Sequence, residues 1–376
     1  MTECPRLPLR IVHTEASQGW GGQEIRILSE ARAMIARGHQ VTLLAPATAK
    51  IHAVAQAQGI PAVALPIGRK NIRGVLALRK WLATHEVDVI NTHSSTDTWL
   101  AALANLTLRH AAPIVRTRHI SAPVATSWPN RWLYGRTSAA IATTGERLRR
   151  DLMDRLGLAP EHVVSVPTGI DLARFSRSQA RARDGVRAEL GIGQDALVIG
   201  IAATLRSWKG HDYLLDAFSA LAAQYPRLEL LVAGDGPRRE HLEQRIAATD
   251  LAQRIHLIGQ REDVPDILAA MDIFALPSYA NEGVPQAIMQ AMAMELPVIS
   301  TRVGAIDEAV ADEETGFLVP PRDSLALAEK IRALAENEAL RMQLGQAGRA
   351  WAEGHFSLEA MAVAMEEIFY RAVAAG

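Results

Sequence analysis

Short apolar runs alternate along the chain with segments whose apolar residues recur every three or four positions. The first pattern is typical of buried strands and the second of helices that face a core. In the first half the predicted helices cover residues 23–37, 72–85 and 98–106. The predicted strands of this half are residues 9–13, 41–45, 60–65, 87–91, 114–117, 139–143 and 163–166. Such βαβ alternation predicts a mainly parallel sheet.

The same alternation restarts in the second half, after an Arg-, Ser- and Gly-containing segment at 172–195 that is predicted to be a linker. Helices continue from residue 324, and the last one, about 357–374, has no strand after it, so we expect it to pack back across the first domain. The predicted strands of this half are residues 197–203, 228–233, 255–258, 273–276, 298–300 and 317–319. The fold class is therefore α/β, with two Rossmann-like parallel-sheet domains facing a cleft (1–175 and 196–355) and a returning helix (356–376).

Residues 273–301 combine a buried strand, a polar loop and a helix, with Pro285 predicted in the first helical turn. A helix start offers unpaired N–H groups and a partial positive charge, which suit phosphate oxygens. Glu282 lies at that start, and Gln290 follows two turns later near the same face. The stretch suits a nucleotide diphosphate, but any α/β domain contains plain strand–loop–helix units, so alone it leaves the function open.

In the first half, polar residues follow three predicted strands. In parallel sheets, ligands bind beyond the carboxyl ends of strands, so three polar ends on one edge favour a site there. For any single histidine, a hydrogen-bonded core or surface role is the alternative. The three clusters are Thr14–Glu15, Asn91–His93–Ser94 and Arg116–Arg118–His119.

Glycines at 19, 21 and 22 precede the first helix and allow a ligand to approach the backbone closely. Their spacing differs from the GxGxxG dinucleotide fingerprint, because they are bunched and Trp20 interrupts them. They indicate at most a weak anion site.

The 376 residues are 49% hydrophobic and 22% charged, as in a soluble globular protein of two domains. A single cysteine, Cys4, excludes an internal disulfide framework and a multi-cysteine metal site. The first residues lack the apolar core of a signal peptide, and no apolar run approaches membrane-spanning length. These features predict a cytoplasmic protein.

The net charge of −1 conceals an uneven distribution: residues 1–170 carry 20 basic and 11 acidic residues, and the remainder carries 20 and 30. A basic first half suggests an anionic surface or substrate, although the two halves could instead attract each other. Residues 121–136 interleave aromatic with basic side chains, which suits contact of 128–136 with the inner membrane or a lipid-linked anionic acceptor. The alternative is a helix with inward-packed aromatics. No nucleic-acid module accompanies this segment, so no nucleic-acid partner is expected.

Ten motifs occur in a fixed order along the chain: WGGQE (20–24), VINTHSS (89–95), RTRH (116–119), VPTGID (166–171), LRSWKGHDYLLDAF (205–218), LVAGDGP (231–237), HLIGQREDVPDILAAMDIFALPS (256–278), NEGVPQAIMQAMA (281–293), PVISTRVGAIDE (297–308) and TGFLVPPRD (315–323). Together they resemble the retaining glycosyltransferases of sequence family 4, which have the GT-B fold. The resemblance covers nearly the whole chain.

The resemblance implies sugar transfer from a nucleotide sugar, with a UDP-sugar favoured, with retention of anomeric configuration and with no required metal or other cofactor. Without a metal, cations and helix-start N–H groups must stabilise the departing diphosphate. Glu282 matches the first acid of the family's E-x7-E pair, and Gln290 occupies the second position. The family arginine would lie five residues before Lys209, at Thr204, whereas this chain has Arg206 three residues before it.

The residues assigned by this resemblance fall into three groups. The proposed catalytic residues are Glu282, His119 and Lys209. The proposed donor-binding residues are Gly21, Gly22, Arg206, Lys209, Gly234, Gly259, Arg261, Glu282, Gly283, Val284 and Gln290, with the base against the loop 259–261. The proposed acceptor-binding residues are Glu24, His93, Arg118 and His119, and no metal ligand is assigned.

The favoured hypothesis is a hexosyltransferase on the cytoplasmic face of the inner membrane that acts in cell-envelope biosynthesis on a lipid-linked or lipopolysaccharide-type acceptor. A nucleotide-sugar epimerase of the same fold is one alternative. A catalytically silent nucleotide-sugar-binding subunit is another, because Gln290 and Thr204 depart from the family pattern.

Overall fold

The computed structural model describes residues 7–120, 122–178, 183–280 and 282–375. Cys4 and Asn281, which belong to the sequence arguments above, lie outside these residues. Two compact units form: the first contains Met1–Gly169 and Leu358–Gly376, and the second contains Ile170–Ser357.

The first unit has a seven-stranded sheet whose helices cover both faces. Apolar side chains on two different faces of the strands explain this layering, because each face must be buried. Its strands are β1 (Arg10–Thr14), β2 (Gln40–Ala45), β3 (Ala62–Ala64), β4 (Val89–Thr92), β5 (Ile114–Arg118), β6 (Ser138–Thr143) and β7 (Val163–Ser165). Its helices are α1 (Gly22–Ala36), α2 (Lys50–Ala57), α3 (Ile72–Leu82), α4 (Ser95–Asn105), α5 (Trp128–Gly135), α6 (Glu146–Leu156) and, from the end of the chain, α14 (Leu358–Ala375).

The second unit has a six-stranded sheet of the same kind. Its strands are β8 (Leu197–Ala202), β9 (Leu228–Ala233), β10 (Ile255–Gly259), β11 (Ile273–Leu276), β12 (Val298–Thr301) and β13 (Gly316–Val319). Its helices are α7 (Arg183–Leu190), α8 (His211–Ala222), α9 (Arg239–Ala247), α10 (Val264–Ala269), α11 (Gln286–Ala293), α12 (Ser324–Glu336) and α13 (Glu338–His355).

Both sheets are parallel and share one strand order. The first runs β3-β2-β1-β4-β5-β6-β7 and the second β10-β9-β8-β11-β12-β13. This order is that of the Rossmann fold, and the predicted α/β fold class is confirmed. The order reverses between β1 and β4 in one unit and between β8 and β11 in the other, and ligands bind at such reversals in open α/β sheets.

The last helix belongs to the first unit, as predicted. Six apolar residues of α14 pack in the same core as the buried face of α1, which includes Ile27, Leu28 and Met34. At the edge of this contact, Arg37 pairs with Glu359 and Glu366, and His39 pairs with Glu366. The α14 residues in the core are Met361, Ala362, Met365, Ile368, Phe369 and Ala372.

The predicted linker at 172–195 is wrong in part, because it contains α7 and belongs to the second unit. Arg187 of α7 is fully buried; it pairs with Asp272 at 2.8 Å and donates to the carbonyl of Ala270. Arg187, which the sequence analysis placed in a polar linker, therefore anchors a helix. Similarly, Pro285 lies at the N-cap of α11, one residue before the predicted first turn, and its carbonyl accepts from the Ile288 N–H.

Among the described residues, no helix is both long enough and apolar enough to cross a membrane.

Candidate active site

Two loops of the second unit extend from the strands that flank its reversal point. The loop after β8 contains a 3-10 helix, Ser207–Lys209, and the loop after β11 leads to α11. The Tyr279 N–H donates to the Trp208 carbonyl at 2.8 Å, which ties the loops together. Gly210 permits their close approach: its φ is +80°, and a Cβ there would lie 2.0 Å from the Pro277 carbonyl oxygen.

The carboxylate of Glu282 holds the two loops at their ends. Its Oε1 accepts from Lys209 Nζ at 2.7 Å and from Ser278 Oγ at 2.6 Å. The Glu282 side chain is 5% exposed and that of Lys209 is 21% exposed. Two of the proposed catalytic groups are therefore paired with each other, with the lysine on the more accessible side.

The backbone beneath Glu282 is equally constrained. Gly304, which follows β12, has a φ of +63°, and a Cβ there would lie 2.0 Å from the Glu282 carbonyl oxygen. Only glycine combines this conformation with this contact at low cost. The position of Glu282 thus depends on a residue 22 positions away in the chain.

Helix α11 begins just after Glu282. Val284 is buried, whereas Gly283 and Gln290 are partly buried. Within the described residues, the main-chain N–H groups of Gly283 and Val284 have no hydrogen-bond acceptor. These donors and the positive end of the helix lie beside the Lys209–Glu282 pair, an arrangement suited to phosphate oxygens.

The remaining predicted donor residues surround these loops in different ways. Arg206 is exposed, with its guanidinium 5.1 Å from the centre of the Trp208 ring. Arg261 instead pairs with Asp263 at 2.7 Å and Glu189 at 2.9 Å, and these acids raise its pKa. Their roles in donor binding stay predictions.

Gly234 and Gly259 lie at the ends of neighbouring strands β9 and β10. The Gly234 N–H donates to the Gly259 carbonyl at 2.8 Å. This contact gives both glycines a role in the backbone of the second unit, apart from any ligand.

In the first unit, three histidines follow one another across the strands β1, β4 and β5. His13 Nδ1 lies 2.9 Å from His93 Nε2, and His93 Nδ1 lies 3.0 Å from His119 Nε2. Burial lowers the pKa of His13 to about 3, and it lowers the pKa values of His93 and His119 well below the usual range. The three imidazoles are therefore neutral at neutral pH.

Two buried carboxyl groups, those of Glu15 and Asp97, lie beside these three histidines. Asp97, at the third position of α4, accepts from Thr14 Oγ1 and from the backbone N–H groups of His93 and Ser94. Burial, with a contribution from Asp97, raises the pKa of Glu15 to about 8, and burial also raises the pKa of Asp97. The strand ends predicted to be polar are thus assembled at one edge of the first sheet.

The basic residues of β5 are held by an aromatic ring. Arg116 is buried with its guanidinium 4.2 Å from the Tyr134 ring centre, and burial lowers its pKa. Arg118 donates to the Tyr134 hydroxyl at 3.2 Å and to the Ala122 carbonyl.

The start of α1 carries the remaining predicted residues of this unit. Gly21 is its N-cap in an extended conformation, and Gly22 is its first residue. Glu24 is buried in the first turn, and its Oε2 would lie 3.8 Å from a Cβ at position 21.

Residues 128–135 form α5. Some of its aromatic side chains pack inward, and one is exposed, as contact with a membrane would require. Tyr134 is buried and Trp132 stacks on Trp99 at 5.6 Å, whereas Trp128 is 75% exposed. Arg131 and Arg136 are exposed as well.

Sequence reasoning missed His13, Asp97 and Ser278. His13 lies within an apolar strand and shows no separate signal. Asp97 completes a Ser-x-x-Asp capping box with Ser94, a recognisable signal for a helix start. Within the described residues, no group of three or more His, Cys, Asp or Glu side chains is arranged to hold a metal ion.

Comparisons with known proteins agree with this architecture. Residues 20–174 match the family model described as Glycosyltransferase Family 4, and residues 182–351 match Glycosyl transferases group 1. A D-inositol 3-phosphate glycosyltransferase of Saccharomonospora viridis is 29% identical, over 98% of this chain and 95% of its own. A phosphatidyl-myo-inositol mannosyltransferase of Mycolicibacterium smegmatis is also 29% identical, over 85% and 83%.

The solved structure of Anabaena Alr3699/HepE in complex with UDP-glucose has a TM-score of 0.84 at 23% identity and covers 96% of this chain and 99% of that one. This likeness shows the fold. The two family models together span most of both units, and the chain belongs to the family 4 glycosyltransferases with the GT-B fold.

Proposed function

We propose that this glycosyltransferase moves a hexose from a UDP-sugar to a lipid-linked or lipopolysaccharide-type saccharide acceptor, with retention of configuration and without a metal. The single observation that carries the donor half is the Lys209–Glu282 pair at the reversal point of the second sheet, 2.7 Å apart. It lies beside the N–H groups of Gly283 and Val284, for which the described part of the chain offers no acceptor. Binding of UDP-glucose by Alr3699/HepE supports the choice of base.

In this proposal Lys209 and the N–H groups of Gly283 and Val284 take up the negative charge of the departing diphosphate. Preorganised donors act strongly in a site with little water, because they need no reorganisation as charge develops. Arg206, exposed beside Trp208, adds a second cation. Glu282 contacts the donor sugar, and Gln290 accepts from a ribose hydroxyl without the assistance of a charge.

The acceptor is assigned to the first unit, where Glu24, His93, Arg118 and His119 were predicted to bind it. The two relatives are named for D-inositol 3-phosphate and phosphatidyl-myo-inositol. These names support an anionic or lipid-linked polyol as the acceptor. Contact with the cytoplasmic face of the inner membrane through 128–136 is supported by the exposed Trp128.

A panel of UDP-, GDP- and ADP-sugars, each incubated with a membrane lipid extract as acceptor, tests the proposal. We expect nucleotide release and a labelled lipid product with a UDP-sugar, with the product anomer matching the donor, and no change when EDTA is added. Neither binding nor release with any donor would contradict it, and an isomerised donor formed without acceptor would identify an epimerase instead.

A catalytically silent subunit is the second candidate, because Gln290 stands where the family has an acid. Such a subunit would bind UDP-sugars without turnover. Turnover of the unsubstituted protein with a UDP-sugar decides between the two. In an active transferase, Gln290→Glu should in addition tighten UDP binding and keep transfer.

A further inference from the structure

The three histidines of the first unit form one hydrogen-bonded chain. His13 belongs to β1, His93 follows β4 and His119 follows β5, and these strands are neighbours in the sheet. The rings of His13 and His93 are nearly parallel, with centres 5.2 Å apart, and those of His93 and His119 are 5.3 Å apart. The nitrogen–nitrogen distances of 2.9 Å and 3.0 Å require one proton in each gap.

Counting protons leaves only two arrangements. A neutral imidazole has one N–H donor and one bare acceptor nitrogen. Three neutral rings carry three protons, and two of them occupy the gaps. If His93 donates from Nδ1, then His13 must donate from Nδ1, and the third proton lies on His119 Nδ1. If His93 donates from Nε2, the third proton lies on His13 Nε2.

The surroundings of His13 and His119, which lie at the two ends of the row of histidines, distinguish the two arrangements. His13 is fully buried, and its Nε2 has no hydrogen-bond partner among the described residues. A buried N–H without an acceptor is rarer and more costly than an unfilled acceptor. His119 is only partly buried, so water or substrate can accept from its Nδ1. The third proton therefore belongs on His119.

We propose that His13 is a positioning residue that acts through His93 to fix His119 as the Nδ1–H tautomer, so that His119 presents a hydrogen-bond donor to a substrate oxygen. This role rests on the proposed function, in which His119 contacts the reacting groups. His13 itself touches neither substrate.

The same geometry argues against a proton relay through the three histidines. For His119 to accept a proton at Nδ1, the hydrogen bonds of the three histidines would have to reverse and place a proton on His13 Nε2, where no described residue accepts it. For His119 to lose its proton, His13 Nε2 would have to gain one from a buried site. His119 therefore stabilises charge on an oxygen and leaves the acceptor's proton to another group.

Two matched substitutions test this arrangement. The side-chain nitrogen of Asn occupies the place of the histidine Nδ1, so His13→Asn keeps the donor to His93. His13→Asp has nearly the same size and shape as Asn, but its ionised carboxylate only accepts, so it reverses the hydrogen bond to His93. Long-range ¹⁵N–¹H NMR, with the signal assigned by comparison with His119→Gln, reports which nitrogen of His119 carries the proton.

We expect the Nδ1–H tautomer in the unsubstituted protein and in His13→Asn, and a shift towards Nε2–H in His13→Asp at a pH where the aspartate is ionised, because His93 must then donate from Nε2 and accept from His119 Nε2. The Nε2–H tautomer in the unsubstituted protein would overturn the proposal, and so would an unchanged Nδ1–H tautomer in a folded His13→Asp variant whose aspartate is ionised. The spectrum of the unsubstituted protein decides the matter alone if neither variant folds.

Kinetics provide the second readout. Loss of one well-placed donor should lower kcat by about tenfold in His13→Asp with a much smaller change in KM, whereas His13→Asn should keep most of the activity. Equal losses of kcat in both folded variants would contradict the positioning role. If no donor or acceptor gives turnover, the proposed function fails, while the tautomer measurement still tests the histidine chain.

Discussion

Neutralising Glu282 should have opposite effects on UDP binding and on sugar transfer. The Glu282 carboxylate lies 2.7 Å from Lys209 Nζ and neutralises much of the positive charge of the lysine. A diphosphate bound by Lys209 must also sit close to this negative group. Glu282→Gln removes the repulsion but keeps a side-chain oxygen that accepts from Ser278 and Lys209.

The magnitude follows from the charges and their burial. A unit charge about 6 Å from a phosphate oxygen contributes about 3 kcal/mol at an effective dielectric constant of 20 and less than 1 kcal/mol in water. Because Lys209 is 21% exposed, about 1 kcal/mol is appropriate, which corresponds to roughly fivefold tighter UDP binding. The hydrogen bond from Ser278 becomes neutral and the one from Lys209 loses the charge on its acceptor, so unfolding should become easier by about 1–2 kcal/mol.

Isothermal titration with UDP and turnover with the preferred UDP-sugar measure the two effects on one preparation. Transfer should fall by about a hundredfold or more, because the donor sugar loses its contact with the carboxylate. Glu229→Gln is the matched control: Glu229 is also mostly buried and pairs with His256 at 2.6 Å, but it lies at the start of β9, away from these loops. Weaker UDP binding in folded Glu282→Gln, with Glu229→Gln unchanged, would refute the assigned roles of Lys209 and Glu282.

Three further predictions concern stability, pH and membranes. Gly304→Ala should destabilise the second unit by about 2 kcal/mol or more in denaturant titrations and reduce transfer, because its Cβ would lie 2.0 Å from the Glu282 carbonyl oxygen. Gly354→Ala is the control: the position has open space around it in α13, so the substitution should be neutral or slightly stabilising. Because burial raises the pKa of Glu15 from 4.5 to about 8, the folded protein holds this proton more tightly than the unfolded chain, so Glu15 should decrease the free energy of unfolding by up to about 1.4 kcal/mol per pH unit as pH rises through that window. Burial also raises the pKa of Asp97, so Glu15→Gln should make this slope shallower without abolishing it in melts at several pH values. Trp128→Ala should weaken co-sedimentation with vesicles containing anionic lipid without changing UDP affinity, and unchanged sedimentation would argue against membrane contact through α5.

The fold could be predicted because the periodicity of apolar residues matches the helices and strands that the structure contains. Apolar runs in a parallel sheet are buried on both faces, so they are visible in the sequence, and the two sheets and the returning α14 were predicted correctly. The helix α7 was hidden because its anchor is a buried arginine, Arg187, whose partner Asp272 lies 85 residues away. Residue types alone do not show which charges will be paired.

The site divides in the same way. The positions of Glu282 and Lys209 at strand ends could be predicted from the loop–helix pattern and the family motifs, but their 2.7 Å contact could not, since it depends on the approach of two loops 73 residues apart. His13 was missed because a histidine within an apolar strand shows nothing of the neighbouring strands. Its link to His93 spans 80 residues and arises only from the order of β1 and β4 in the sheet.

A crystal structure of the protein with a bound UDP-sugar tests the central claim most directly. We expect diphosphate oxygens within hydrogen-bonding distance of Lys209 Nζ and of the main-chain N–H groups of Gly283 and Val284, with the sugar beside Glu282. A diphosphate bound away from Lys209, or a protein that takes up no nucleotide sugar at saturating concentration, would contradict the account.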